Sequence, residues 1–550
     1  MEGYCGVLWH SQHDDAGKRM IKMKTLIVNG IIIDGTGKPG YPGMLAVEGE
    51  RIQAVGLPAD PGYFDQVVDA GGMAVAPGFI DTHSHSDVQV LLNPFIEAKI
   101  RQGVTTEILG QDGISTAPLP KRYISDWRKI LASFDGDSDE IDWSYETTDG
   151  YLRQMEKNGL GLNEAYLVPH GNVHMAVMGL DNRIPSTGEM EQMCLILERE
   201  MQAGAFGFST GLMYSPCVFA KTEELVELCK VVAKYDGVFA VHQRSEANDI
   251  LQSMQEVLDI GRKSGVKVHF SHFKVCGSKN WGLLGAMLEL LDQAQTEGIR
   301  VSFDQYPYSA GSTILGAVLP PWAHEGGTEK LLERLQKPDL RRQMIRDIER
   351  GIPGWDNIIE FAGLEKIFIA GIASKTNQDL TGKNLAEIGR IRDKDPYDAI
   401  FDLLYEERNT VHIVDFYGTE DHVIRLLNRP EQNVCTDGLF GERPHPRIFG
   451  SYPRVLGKYV REEKTISLEA AIRKMTGKAA ETFGIRQRGL LREEYFADIV
   501  VFDPGTIKDR GTFSDPIHYP EGIQYVLING NIVVSQGEYR KFLAGKVLRK

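Results

Sequence analysis

Apolar runs that break off at polar residues recur along this chain. Met73–Ile80 is apolar and leads into Asp81-Thr82-His83-Ser84-His85, as a buried strand does when it delivers polar side chains at its end. Similar runs end at Gln111-Asp112, Pro169-His170, Ser209-Thr210, His242, His272, Gln305-Tyr306 and Thr436-Asp437, with helix-like stretches between them. From Ser209 to Gln305 the ends recur about every 30 residues, the length of a strand–helix–strand unit. Eight such ends predict an α/β fold, a (β/α)8 TIM-type barrel with its active residues at the C-terminal ends of the strands. An open doubly wound sheet is the alternative, but the Gly-x-Gly-x-x-Gly loop expected after its first strand is missing.

The two ends of the chain share another pattern. Leu26-Ile27-Val28, Asn29-Gly30 and Ile31-Ile32-Ile33 are matched by Val526-Leu527-Ile528, Asn529-Gly530 and Asn531-Ile532-Val533-Val534. Asn-Gly between apolar runs predicts a hairpin, because a type I′ turn demands positive φ twice. The two segments are expected to pair into one small β-sandwich domain, with residues 23–75 and 491–550 as its halves and the barrel over 76–490. The stretch between Tyr306 and Asp437 is too long for a loop. Its helical patterns (Glu329–Gln336, Leu340–Arg350, Asp395–Glu407) predict a folded insertion after strand seven, a lid over about 320–425. Phe134–Glu140, acidic and polar, reads as a loop. Residues 1–22, without an apolar core segment, read as a disordered leader or the product of a misplaced start codon, not a signal peptide.

Composition narrows the function. The 550 residues are 42% hydrophobic and 25% charged, as in an ordinary folded protein. With 61 basic against 76 acidic residues, the net charge of −15 argues against nonspecific binding to nucleic acid or an anionic membrane, and leaves a small-molecule partner. Six scattered cysteines without a Cys-x-x-Cys pair suit a reducing, cytoplasmic setting. No apolar run reaches the roughly 18 residues of a spanning helix.

The strand ends carry the chemistry. Side chains at i and i+2 of a strand share a face, so His83 and His85 point the same way. Together with His242, His272 and Asp437 at the ends of runs five, six and eight, they form a donor set suited to Zn²⁺ or another divalent first-row metal. Such an ion lowers the pKa of water to about 7, and Asp437 is placed to move that water's proton to a leaving group. His170 reads as a structural or supporting residue rather than a ligand. Arg244 and Glu246, two and four residues beyond His242, read as an ion pair or as groups that orient the site. His445 stands in a proline-flanked loop.

These residues and their neighbours resemble the amidohydrolase superfamily and, within it, the D-aminoacylase (N-acyl-D-amino-acid deacylase) family. The matching motifs are Ala76-Pro77-Gly78-Phe79-Ile80-Asp81-Thr82-His83-Ser84-His85, Gln102-Gly103-Val104-Thr105-Thr106, Gly207–Tyr214, Ser271-His272-Phe273-Lys274, Tyr306–Thr313, His445-Pro446-Arg447 and Pro453–Gly457, in order along the chain. The resemblance implies a zinc enzyme with one or two ions, a barrel, a small β domain from both termini and a lid after strand seven. It implies that His242 and His272 hold the tighter ion and that His83, His85 and Asp437 hold a weaker one. Asp437 is implied as acid/base, and Tyr306 as a group beside the scissile carbonyl. Lys274, Arg447, Tyr214 and Ser312 are implied to surround the substrate carboxylate. One departure stands out: the family's Gly-Asn-Cys-Gly is here Gly110-Gln111-Asp112-Gly113, so a harder carboxylate stands where a thiolate ligates or bridges zinc. Cys435, two residues before Asp437, reads as a small core residue, with a sulfur donor as the lesser alternative.

The expected activity is hydrolysis of the N-acyl amide of N-acyl-D-amino acids. A cyclic-amide hydrolase of the hydantoinase or dihydroorotase kind would use a lysine on strand four, and Ala205–Tyr214 has none. The other alternative, a catalytically silent binding module, has no use for five converging donors.

Overall fold

The computed structural model describes residues 23–56 and 59–550, so the proposed leader lies outside the described residues. Eight parallel strands form the barrel: β1 (Phe79–Asp81), β2 (Val104–Leu109), β3 (Asn163–Pro169), β4 (Gly207–Gly211), β5 (Val238–His242), β6 (Lys267–Phe270), β7 (Val301–Gln305) and β8 (Gln432–Val434). They pair in sequence order, and β8 reaches back to β1, where Asp437 N donates to His83 O at 2.9 Å and Ser84 bridges Gly438. Apart from the first residues of β6 and β7, the strands are buried throughout. Such two-sided burial is why they read as apolar runs rather than alternating ones.

Strands from both termini hydrogen-bond into one nine-stranded sheet, in which Ala74–Pro77 pairs antiparallel with Ile499–Phe502. Ile27, Leu45 and Val75 from one end share a core with Ile499, Val501 and Leu527 from the other. Asn529-Gly530 joins two antiparallel strands, as its pattern predicts. Asn29-Gly30 does not. Lys24–Ile32 is a single strand whose register slips between Ile27 and Gly30, so the pair makes a bulge instead of a turn. Both structures need a positive φ, 55° at Asn29, and so share one local signal. A Cβ on Gly30 would also meet Val75 Cγ2 at 2.5 Å.

The insertion after β7 folds on a three-stranded antiparallel sheet, Gly311–Ile314, His412–Asp415 and Ile367–Gly371, with His412–Asp415 in the middle. Helices Thr328–Leu335, Pro338–Arg350 and Pro396–Glu406 pack with it, each within two residues of its predicted span. Among the described residues, no helix is long and apolar enough to cross a membrane.

Candidate metal centre

The barrel mouth opens into a cavity under the lid, and the predicted donors converge at its floor. His83 Nε2 and His85 Nε2 lie 3.3 Å apart, and Asp437 Oδ1 stands 3.6 and 3.3 Å from them. His242 Nδ1 lies 2.9 Å from His272 Nε2. Between the two groups sits Asp112, whose Oδ2 is 3.6 Å from both His83 and His85, 3.7 Å from His272 and 4.0 Å from His242.

Ligands held at the zinc–nitrogen distance of about 2.0–2.1 Å in a tetrahedron stand roughly 3.3 Å from one another, close to these spacings. The opposite atoms of two of these side chains, Asp112 Oδ1 and His242 Nε2, are buried without a hydrogen-bond partner. The residues fit a divalent ion, or two sharing Asp112. Asp112, His272 and Asp437 all adopt left-handed backbone, with φ of 53°, 35° and 47°. Non-glycine residues hold that conformation only when their surroundings impose it, as happens at functional sites.

Those surroundings are visible. Asp304 Oδ1 accepts from His272 N at 2.5 Å, and His269 Nε2 braces the other oxygen at 2.9 Å. Glu246 Oε1 faces His272 Nδ1 at 3.2 Å, the kind of carboxylate contact that fixes a ligand imidazole. Below the floor, buried Lys99 ties β1 to β8 through Asp81 Oδ2 at 2.5 Å and Thr436 Oγ1 at 2.6 Å.

Electrostatics separates the histidines. Burial, helped by the charges of His272 and Lys274, pushes His242 down to about 4. Burial and Lys274 also oppose a charge on His272, but Glu246 and Asp112 prevail and hold it at about 9. Burial resists ionisation of Asp437, yet Arg447 and His83 keep its carboxyl far below the usual range.

The other predicted residues line the same cavity. Tyr306 donates to or accepts from Tyr417 at 2.7 Å, and Tyr214 is similarly paired with Thr313 Oγ1 at 2.9 Å. Lys274 Nζ lies 2.7 Å from Glu246, and Arg447 lies 2.8 Å from Asp437 while donating to Ser312 O at 3.1 Å. Ser312 stands at the lid edge of the cavity. His445 accepts from Arg447 N at 3.0 Å and so supports that residue's backbone.

Three open readings are decided. Cys435 does not join the donors: its thiol contacts Asp304 Oδ1 at 3.5 Å, and the left-handed turn at Asp437 breaks the alternation that would have aligned the two. Arg244 and Glu246 do not pair; Arg244 turns to Glu256 at 3.0 Å and Glu246 to Lys274. His170 takes no part in the cavity and faces Thr210 Oγ1 and Glu224 Oε1 at 2.9 and 3.0 Å. Sequence reasoning missed Phe134, Met213, Asp356, Asp415 and Tyr417, all on the cavity wall.

A parallel eight-stranded barrel whose strand ends gather four histidines and two aspartates defines a metal-dependent hydrolase. The chain belongs to the amidohydrolase family, whose model matches residues 66–348 and 381–534, and within it to the D-aminoacylase group. It is 34% identical to a D-aminoacylase of Alcaligenes xylosoxydans xylosoxydans, over 96% of this chain and 97% of the relative. It is 35% identical to an N-acyl-D-aspartate deacylase of the same organism, over 92% and 91%. The solved N-acyl-D-glutamate deacylase of Bordetella bronchiseptica, complexed with zinc and a phosphonate mimic of the tetrahedral intermediate, is 32% identical. It superposes with a TM-score of 0.79 over 96% of this chain and 100% of that one.

Proposed function

We propose that this protein hydrolyses the N-acyl amide bond of N-acyl-D-amino acids, releasing a carboxylate and a free D-amino acid, with zinc in one or two sites. The observation that carries this reading is the position of Asp112 Oδ2, within 4.0 Å of nitrogens from all four histidines, beside an Asp437 whose second oxygen is already held by Arg447. His242 and His272 would hold one ion, His83, His85 and Asp437 the other, with Asp112 shared between them. A divalent ion there supplies a nucleophile by lowering the pKa of water to about 7, and it polarises the carbonyl.

The protein does the rest. Asp437 Oδ1 accepts the water proton and returns it to the leaving nitrogen, while Arg447 fixes the carboxylate's other oxygen. Burial pushes the Tyr306 phenol up, so it stays protonated and can donate to the developing oxyanion. Lys274 and Arg447, with Tyr214 and Ser312, form the wall that receives the substrate carboxylate. The lid keeps bulk water away and strengthens each of these contacts. The cyclic-amide alternative finds no support on β4, which carries no lysine. Scattered cysteines and acidic charge support a cytoplasmic enzyme acting on a small molecule, without nucleic acid or membrane.

The test is a panel of N-acetyl-D- and N-acetyl-L-amino acids with zinc-loaded protein. Hydrolysis confined to the D-series supports the reading; hydrolysis confined to the L-series overturns it.

A further inference from the structure

The lid contributes one carboxylate that the chemistry above does not use. Asp415 ends the middle strand of the lid sheet and lines the reaction cavity with His85, Lys274, Asp437 and Arg447. It is only 5% exposed. Among the described residues no side chain donates to its carboxylate, and Lys274 and Arg447 act on it through their charge alone. Directly across the sheet is Gly311, where a Cβ would come within 3.0 Å of Asp415 Oδ1, so the space beside the carboxylate exists because that position has no side chain.

The cavity's lysine and arginine stand beside other carboxylates. Lys274 is paired with Glu246 at 2.7 Å and Arg447 with Asp437 at 2.8 Å. A second lid carboxylate, Asp356, accepts from Ser245 Oγ at 2.6 Å and from Glu246 N. Asp415 is thus the lining carboxylate with neither a paired cation nor a side-chain donor among the described residues. Burial pushes this carboxyl up to about 6 while Lys274 and Arg447 pull it down, which leaves it mostly ionised at neutral pH. An ionised, buried, unpaired carboxylate is costly, and a cation that reaches it is correspondingly favoured.

We infer that Asp415 is a specificity-determining residue of the substrate side-chain subsite, selecting N-acyl-D-amino acids with a cationic side chain, an ammonium or a guanidinium, and rejecting acidic ones. The inference rests on the deacylase reading and divides it, since relatives named for D-aspartate and D-glutamate match this chain as well as the D-aminoacylase does. An acidic side chain would meet Asp415 while Lys274 and Arg447 are engaged by the substrate's α-carboxylate, and repulsion of that kind separates substrates as effectively as attraction does.

Zinc-loaded protein assayed on N-acetyl-D-lysine, N-acetyl-D-leucine and N-acetyl-D-glutamate tests this. The expected kcat/KM for lysine exceeds that for glutamate by at least a hundredfold. In Asp415→Asn, and independently in Asp415→Ser, the lysine-to-leucine ratio falls at least tenfold, mainly through KM. Equal rates on lysine and glutamate, or an unchanged ratio in both variants, would overturn the inference. If none of the three is cleaved, the deacylase reading fails by itself. Calorimetric binding of N-acetyl-D-lysine and N-acetyl-D-glutamate then decides the subsite: a lysine preference lost in Asp415→Asn upholds it, and equal binding refutes it.

Discussion

Arg447 holds one oxygen of Asp437 at 2.8 Å, leaving the other 3.3 Å from His85 Nε2. The pairing fixes the carboxylate in an orientation that a free side chain at a left-handed position would not keep. Asp437→Asn preserves shape but removes the proposed proton acceptor. Turnover should fall by about 10²–10⁴-fold, the usual worth of a general acid–base, with an unchanged far-UV spectrum. Near-normal rates would show that another group moves the proton.

Asp112 predicts a metal signature distinct from that of a thiolate site. Asp112→Ala should lower the metal content per chain measured by mass spectrometry, because its Oδ2 lies within 4.0 Å of nitrogens in both donor groups. Asp112→Cys, loaded with cobalt, should gain a sulfur-to-metal absorption band that the native protein lacks. Identical cobalt spectra for the two proteins would place the ion elsewhere.

Lys99 predicts a structural cost. It is fully buried between Asp81, Glu107 and Thr436, and removing one member of such a cluster leaves uncompensated charge. Lys99→Met should destabilise the fold by about 3–5 kcal/mol, seen as a lower thermal midpoint. An unaltered midpoint would mean that the carboxylates are neutral without it.

His170 and Glu224 predict how stability varies with pH. Burial disfavours the His170 charge, but Cys217 and Glu224 raise it from 6.5 to about 10. Burial also disfavours the Glu224 charge, and His170 and His174 lower it from 4.5 to about 2. A raised histidine stabilises fully below 6.5 and loses that contribution as pH rises through about 10; a depressed glutamate stabilises above 4.5 and loses it as pH falls through about 2. The urea midpoint of metal-free protein should therefore decline between pH 6.5 and about 10, and Glu224→Gln should flatten that decline. Parallel declines in the two proteins would contradict it.

The legible part of this molecule was what strands carry to their own ends. His83, His85, His242, His272 and Asp437 were readable because each closes an apolar run, and a barrel brings all such ends to one rim. Asp112 was readable only because a resemblance pointed to its position. Asn29-Gly30 was misread, because a bulge and a hairpin turn make the same local demand for positive φ, and only the pairing of both flanking runs with Tyr41–Glu48 distinguishes them. Asp415 and Tyr417 were invisible because an insertion's aim depends on how it folds on itself. Lys99 looked like any helix lysine, its partners lying on three different strands or strand ends.

The most direct test is to strip the protein of metal and follow hydrolysis of N-acetyl-D-leucine as zinc is added back. The rate should begin near zero and rise with zinc to a plateau, with no rise in a His242→Ala, His272→Ala double variant. Full activity in the stripped protein, or equal recovery in the double variant, would contradict a reaction centred on these donors.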